Sequence, residues 1–428
     1  MIKQIFKQLW FYRRSNAWLF VEMTLITAAS WFLVNAVWPY QYRSHLPDGY
    51  DTEGVYVLTM STLYEGQDGY DPASASAEKV SADFHRFGNA LRSMPEILDA
   101  APAGTTLPGL SMMNFNTSTL IDTARSVYFA YHAREAGAAD LSLLGYRQVW
   151  PENGPVEDLP GTVIITSDLA EIVWPGENPV GKQFGEAEQL GGSWRVSGVI
   201  EPVKIIKDQE YRSFVMFANA DITKDQNEIE PVWCFRLRPG VDEDAFIADA
   251  SRTWKEQMRY GNYRVGSILS LDDTLRRETV DNFTWQALFI FLLICMLIGV
   301  ASFSWLRTRE RRGEIGVRRA MGGTAGSVML TLLCEVWSLY AVSLLTGLLL
   351  VVNTIVIGKI DFCSSGMYIG FVSQPIVDSL PLIFEPVPHF LVVAGIAALI
   401  LLAAVTLSTI VPVAGAMRES PADVLKDE

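Results

Sequence analysis

Four long apolar runs constrain this chain more than any other feature. Ala17–Trp38, Asn282–Leu306, Leu330–Gly358 and Phe390–Val413 are each long and apolar enough to cross a lipid bilayer. A hydrocarbon layer of about 30 Å needs about 20 mostly apolar residues in a helix. Half of the 428 residues are hydrophobic, and these runs concentrate them into membrane-length segments. Glu22 and Glu335 are the formal charges inside them.

The connection between the second and third runs orients the rest. It reads RERRGEIGVRRAMGGTA over residues 309–325, and Arg307, Arg309, Arg311, Arg312, Arg318 and Arg319 crowd into it. Short basic loops stay in the cytoplasm, because Lys and Arg beside a span resist translocation. The amino terminus, with Lys3, Lys7, Arg13 and Arg14 before the first run, obeys the same rule. The expected topology has both termini and residues 307–325 inside, and residues 38–283 and 359–389 outside. Most of the net charge of −14 falls in the long outer stretch, which is consistent with that topology.

The first run is read as an uncleaved anchor. It is long for a signal-peptide core, and Trp38-Pro39-Tyr40 lacks the small residues of a cleavage site. Four cysteines imply no disulfide framework, although Cys234 and Cys363 on the outer side could bridge if the fold joined them.

The stretch between the first two spans is too long for a loop and reads as an α+β domain, with room for two subdomains. Strands are expected at Gly54–Met60, Val127–His132, Thr162–Thr166, Trp194–Ile200, Phe214–Asn219 and Val232–Arg238. These runs are short, rich in Val, Ile, Phe and Tyr, and bounded by turn residues. Helices are expected at Glu78–Ser93, which stops before Pro95, and at Asp242–Tyr260, which opens on acidic residues. Leu271–Asn282 is charged, without Pro or Gly; it either continues the second span as a helix or runs as a solvated linker. The outer loop 359–389, with Pro375, Pro381, Pro386 and Pro388, is expected to be irregular.

Several motifs dissolve on inspection. Gly176–Gln183 nearly spells a phosphate-binding loop, but Gln183 stands where a Mg²⁺-ligating hydroxyl is needed. His45, His85, His132 and His389 show no metal-ligand spacing with Cys or acids, so no metal site is expected. Asn116-Thr-Ser118 and Asn282-Phe-Thr284 match a glycosylation triplet, which chance alone often supplies. No local pattern supports a Ser/His/Asp nucleophile, and no catalytic residue is expected. Intramembrane acids are costly and often functional. Glu22 and Glu335, however, lie near the cytoplasmic ends of their spans, so pairing with the neighbouring arginines is preferred to a proton path. The second and fourth runs hold no Asp, Glu, Lys, Arg or His, which argues against a transporter built on a midplane polar site.

Arg309–Gly323 followed by Glu335 resembles the signature of FtsX-like permeases, the membrane subunits of MacB-type ABC systems. The closing Pro421-Ala-Asp-Val-Leu425-Lys-Asp-Glu428 resembles that family's carboxyl end. Val163–Lys182 and Trp194–Ile200 are similar to the MacB-like periplasmic core. Residues 40–160 align with little, and Asn16–Glu22 replaces the usual small-residue entry to the first span.

The resemblance implies four transmembrane helices, with a large extracytoplasmic α+β domain between the first and second. The divisions are 1–38 for the amino terminus and first span, 39–281 for the MacB-like domain, and 282–428 for the FtsX-like domain with its coupling segment at 307–325. It also implies a bacterial inner-membrane protein that is not itself an enzyme and binds no cofactor or nucleic acid. ATP would be used by a separate ABC ATPase chain, a second permease copy or paralogue would complete a dimer, and a periplasmic adaptor has a place beside them. The coupling residues would be Arg311, Glu314, Arg318, Arg319 and Gly322. On a helix the first three and Arg319 share roughly one face, suited to an ATPase surface or, in the plainer reading, to lipid headgroups.

Overall fold

The computed structural model describes residues 13–104, 107, 116–120, 126–185, 190, 192–204, 211–224, 231–278, 280–363 and 372–418. The chain divides into two units. One comprises residues 1–41, 282–367 and 380–428, and the other residues 42–281 and 368–379.

The long helices of the first unit, among the described residues, are Arg13–Ser44, Val280–Glu310, Ala325–Gly358 and Pro386–Arg418. Within them Ala17–Ser44, Thr284–Ser302, Ala325–Gly358 and Pro386–Gly415 are long and apolar enough to span a membrane. In lipid the hydrophobic effect cannot hold such helices together, so small residues and hydrogen bonds do. The first and third spans meet in this way at Gly347. A Cβ there would come within 2.7 Å of Thr27 Cβ and 2.9 Å of the Thr24 carbonyl, so only glycine allows the approach. Thr24 and Thr346 hydroxyls lie 3.2 Å apart beside it. Higher up, Trp31 is fully buried against Phe32, Phe362 and Phe390. His389 of the fourth span lies 2.7 Å from the Asn35 amide oxygen of the first and 2.9 Å from the Leu382 carbonyl.

The second unit is a mixed sheet with helices, the α+β class expected. Its strands are β1 Val55–Thr62, β2 Ile97–Gly104, β3 Asn116–Leu120, β4 Ser126–Glu135, β5 Gln148–Trp150, β6 Thr162–Thr166, β7 Gln183–Phe184, β8 Trp194–Ile200, β9 Val203–Lys204, β10 Tyr211–Arg212, β11 Phe214–Asn219, β12 Pro231–Leu237 and β13 Tyr263–Ser270. The main sheet runs β13-β1-β12-β2-β4-β11-β6-β8-β5, with β3 added on β4 and β7 on β8, while β9 and β10 pair separately. β4 with β11 and β6 with β8 are parallel; the other pairs are antiparallel.

Helix-covered cores lie along both halves of this sheet. In the first half, helices Ala77–Arg92 and Glu243–Gln257 cover β1, β2, β12 and β13 and bury Phe84, Phe87, Trp233, Phe235 and Trp254. Ser76 caps the first of these helices and Asp242 the second, each accepting from the backbone three residues on. In the other half, helix Ser167–Val173 covers β4, β6, β8 and β11 over Phe129, Ile165, Leu169 and Val215. The halves join at β2 and β4, whose described register rests on one pair, Ala103 with Arg134.

Beside that seam Arg134 is fully buried. Its guanidinium donates to both Asp140 oxygens at 2.8 and 2.6 Å and to both Asp158 oxygens at 2.6 and 2.9 Å. Lys204 Nζ, equally buried, donates to the carbonyls of Arg43 and Leu46 and to Asp48, and so pins the start of the domain.

Three features differ from the sequence expectation or decide between its alternatives. The loop 359–389 is not irregular throughout, because Gln374–Ser379 and Pro381–Phe384 are short helices. Pro381 and Pro386 each take the first helical position, where a missing N–H costs nothing. Leu271–Glu278 is helical, and a second helix begins at Val280. Cys234 and Cys363 both keep free thiols.

Candidate coupling site

The connection after the second span folds into a short helix, Arg312–Ala320. Gly322 ends it. With φ +90 it takes the left-handed conformation, and Gly323 N–H then donates back to the Arg318 carbonyl at 3.1 Å. This is the hydrogen bond of a Schellman cap. Thr324 opens the third span immediately afterwards, its hydroxyl accepting from Ser327 N–H at 3.3 Å. The helix is thus bounded by two turns and has its own direction.

One apolar residue sets that helix down. Ile315 is 2% exposed, and it clusters with Val328 and Leu332 of the third span and Val413 of the fourth. Arg311, just before the helix, reaches Glu335 in the third span. Nη1 and Nη2 donate to the two carboxylate oxygens at 2.8 and 3.0 Å. Glu335 is itself 2% exposed. Arg318 donates to Glu314 at 2.6 Å, and Arg311 Nε lies 3.7 Å from the other Glu314 oxygen. The result is a chain of alternating charge, Arg318–Glu314–Arg311–Glu335. A paired guanidinium and carboxylate with two parallel bonds fix orientation as well as charge.

Arg311, Glu314 and Arg318 therefore do come together, but they spend their charges on one another and on Glu335. The solvent-facing side of the helix carries Val317, 44% exposed, and Met321, 78% exposed. Sequence reasoning passed over these two. Their signal is spacing: four apart, they lie on one face, the one that also carries Glu314 and Arg318. The Arg319 side chain lies outside the described residues, as do residues 419–428 of the closing motif. Glu22 is half-buried in the first span, and its Oε2 accepts no hydrogen bond from a described residue. The side chains of Arg13 and Arg14 lie outside the described residues.

The false phosphate loop resolves in the sheet domain. Lys182 pairs with Glu177 and sits 5.5 Å over the Trp174 ring. Gln183 then enters strand β7 rather than a helix. A phosphate loop needs a helix N-terminus at that point, and this segment is a turn.

The family described as FtsX-like permease C-terminal matches residues 287–421, which hold most of the second span, the third and fourth spans and the helix Arg312–Ala320. Residues 287–421 are thus similar to an FtsX-like permease C-terminal domain. No curated protein matches the chain. Among solved structures, the periplasmic region of MacB from Actinobacillus actinomycetemcomitans is 10% identical, covering 54% of this chain and 94% of its own, with a TM-score of 0.33. A domain of a permease protein from Porphyromonas gingivalis is 16% identical, covering 52% and 93%, at 0.30. The extracellular domain of the noncanonic ABC-type transporter YknZ from Gram-positive bacteria is 11% identical, covering 49% and 100%, at 0.30. Among the described residues, the chain has one helix long and apolar enough to span a membrane before its sheet domain and three after it.

Proposed function

We propose that this permease is the membrane subunit of an ABC-type transporter and works with an ATPase on a separate chain. In this reading residues 309–323 face the cytoplasm of a bacterial inner membrane, both termini lie on that side, and the sheet domain lies outside. A second permease copy or a paralogue completes a dimer around the ATPases, and an adaptor in the periplasm would extend it. ATP serves the partner; this chain contributes a contact and a lever.

The observation that carries the reading is the Arg311–Glu335 pair. An ATPase docked on Val317 and Met321 would push on a helix held to the third and fourth spans by Ile315. Arg311, at the entry to that helix, is held to the third span by two parallel charge-assisted bonds. Such a joint passes rotation without slack, which a flexible basic loop bound only to headgroups does not. The output is movement of the sheet domain, used for export of cargo or for mechanical control of a partner outside the cell membrane.

Reconstitution with the cognate ATPase tests this. Met321→Glu places a charge at the centre of the docking face and is expected to weaken complex formation and stimulated ATP turnover about tenfold or more, as loss of a central apolar anchor does. Unchanged complex formation and turnover in Met321→Glu and in a Val317→Glu/Met321→Glu pair would refute the docking face.

A further inference from the structure

The sheet domain brings together three residues that the transport reading does not use. Helix Ala77–Arg92 presents His85; β4 ends on Glu135; Asp221 follows β11. One ligand atom from each lies within 4.8 Å of the others. His85 Nε2 stands 3.6 Å from Glu135 Oε2 and 3.9 Å from Asp221 Oδ1.

Those separations are too long for hydrogen bonds, which run about 2.7–3.2 Å from nitrogen to oxygen. They are close to the edge of a coordination tetrahedron. Zinc bound at about 2.0–2.2 Å sets its ligand atoms about 3.3–3.6 Å apart. Glu135 Oε2 is also buried without a hydrogen bond from any described residue, an orphan acceptor aimed at an imidazole. Asp221 is held ready on its outer side. Ser81 donates to Oδ2 at 2.6 Å, while Thr223 donates to Oδ1 through N–H at 3.0 Å and through its hydroxyl at 2.6 Å. Metal-ligating carboxylates are oriented by such bonds. Lys224 Nζ, 3.2 Å from Oδ2, sits on an exposed side chain free to swing away.

We propose that His85, Glu135 and Asp221 form a zinc site that fastens helix Ala77–Arg92 to the ends of β4 and β11. One imidazole and two carboxylates suit a borderline divalent ion such as Zn²⁺ better than Mg²⁺, which favours an all-oxygen octahedron. Three protein ligands leave a fourth position for water, and the partial exposure of all three side chains gives the ion a way in. The placement has a mechanical consequence. Glu135 directly follows Arg134, the residue that makes the described register between the two halves of the sheet. His85 belongs to the helix that covers the first half. A bound ion closes a bridge across the seam and stiffens the domain against movement between its halves.

The test uses the full-length permease in detergent, stripped with EDTA and titrated with ZnCl₂ alone, reading bound metal by dialysis and elemental analysis and Tm by intrinsic fluorescence. Wild type is expected to take up one tight zinc per chain and to gain Tm, as a ligand bound only by the folded state requires. His85→Ala and Glu135→Gln lose that zinc and the Tm gain, while Tm in EDTA reports that each variant is folded. Ser81→Ala, which removes only an orienting bond, weakens zinc about ten- to a hundredfold. His45→Ala, at an exposed histidine outside the cluster, changes nothing. Zinc uptake and Tm gain equal in wild type and in folded Glu135→Gln and Ser81→Ala overturn the site, and Mg²⁺ displacing zinc at equal concentration overturns the metal assignment.

Discussion

Ser373, in the connection between the third and fourth spans, donates a hydrogen bond at 2.7 Å to Asp168 at the start of the helix over β6. The same Asp168 oxygen accepts from Ser213 at 2.5 Å, and the carboxylate is 4% exposed. Residues 372–379 thus belong to the sheet domain although the chain on either side of them belongs to the helices. Ser373→Ala removes one hydrogen bond to a buried charge, worth about 1.5–3 kcal/mol. A lowered Tm and faster proteolysis within 359–389 are expected; an unchanged cleavage rate would mean that the attachment does not hold the loop.

Glu335 and Arg311 lend themselves to a double-mutant cycle. Removing one partner of a buried ion pair strands the other, at a cost of about 3–5 kcal/mol. Glu335→Ala and Arg311→Ala are each expected to destabilise the protein strongly in thermal melts. Arg311→Met with Glu335→Leu, which replaces the pair by apolar volume, should recover most of the loss, since such replacements are often neutral. Recovery of Tm without recovery of ATPase stimulation would separate the lever from mere packing. Additive losses in the double variant would show that the two residues do not act as a pair.

The close contact at Gly347 gives a sterically simple prediction. A side chain there must displace Thr27 or the Thr24 backbone, and overpacking of this kind costs about 1–3 kcal/mol. Gly347→Val is expected to lower Tm in detergent and to weaken a cross-link between cysteines placed at Thr24 and Thr346. Gly299, with open space around it, serves as control: Gly299→Ala should leave both readings in place.

Much of this architecture is legible in the amino-acid order, and the failures have physical causes. β6, β8 and β11 fall within the ranges expected from the sequence because each is a compact apolar run buried on both faces. β2 escapes notice, since ILDAAPAG is rich in Ala and contains Pro, residues that strands avoid. What makes it a strand is its register against β12, from Pro231 with Gly104 to Leu237 with Ile97. The same holds for β13, which pairs with β1 from Tyr56 with Ser270 onward. At the candidate coupling site the residue types were readable but their direction was not. Spacing puts Arg311, Glu314 and Arg318 on one face; that Arg311 reaches Glu335 in the third span does not follow from spacing. His85, Glu135 and Asp221 lie too far apart in sequence for any spacing rule, and the parallel pairing of β4 with β11 is what sets Glu135 beside the turn to Asp221.

His132 offers a pH-dependent test of the sheet domain. Fully buried and stacked on Phe214 with ring centroids 6.5 Å apart, it is held down to about 3, first by burial and then by the Arg134 charge. Its folded value lies below the unfolded one of 6.5, so the folded state takes up the proton less readily than the unfolded state. The stabilising contribution is complete above pH 6.5 and is lost as pH falls from 6.5 towards 3, at up to about 1.4 kcal/mol per pH unit. Asp221 adds a second, lower window. Burial alone would raise it, but hydrogen bonds from Ser81, Thr223 and Lys224 outweigh burial and hold it at about 2. Its contribution is present above the ordinary value of 3.8 and disappears as pH falls from there to 2. Thermal melts of wild type should therefore lose stability between pH 6.5 and 4, where Asp221 is still ionised. His132→Phe, which keeps the stacking without the titrating nitrogen, should flatten that interval and leave the steeper loss below pH 4 intact. An equally steep decline in His132→Phe between pH 6.5 and 4 would assign the sensitivity to other groups.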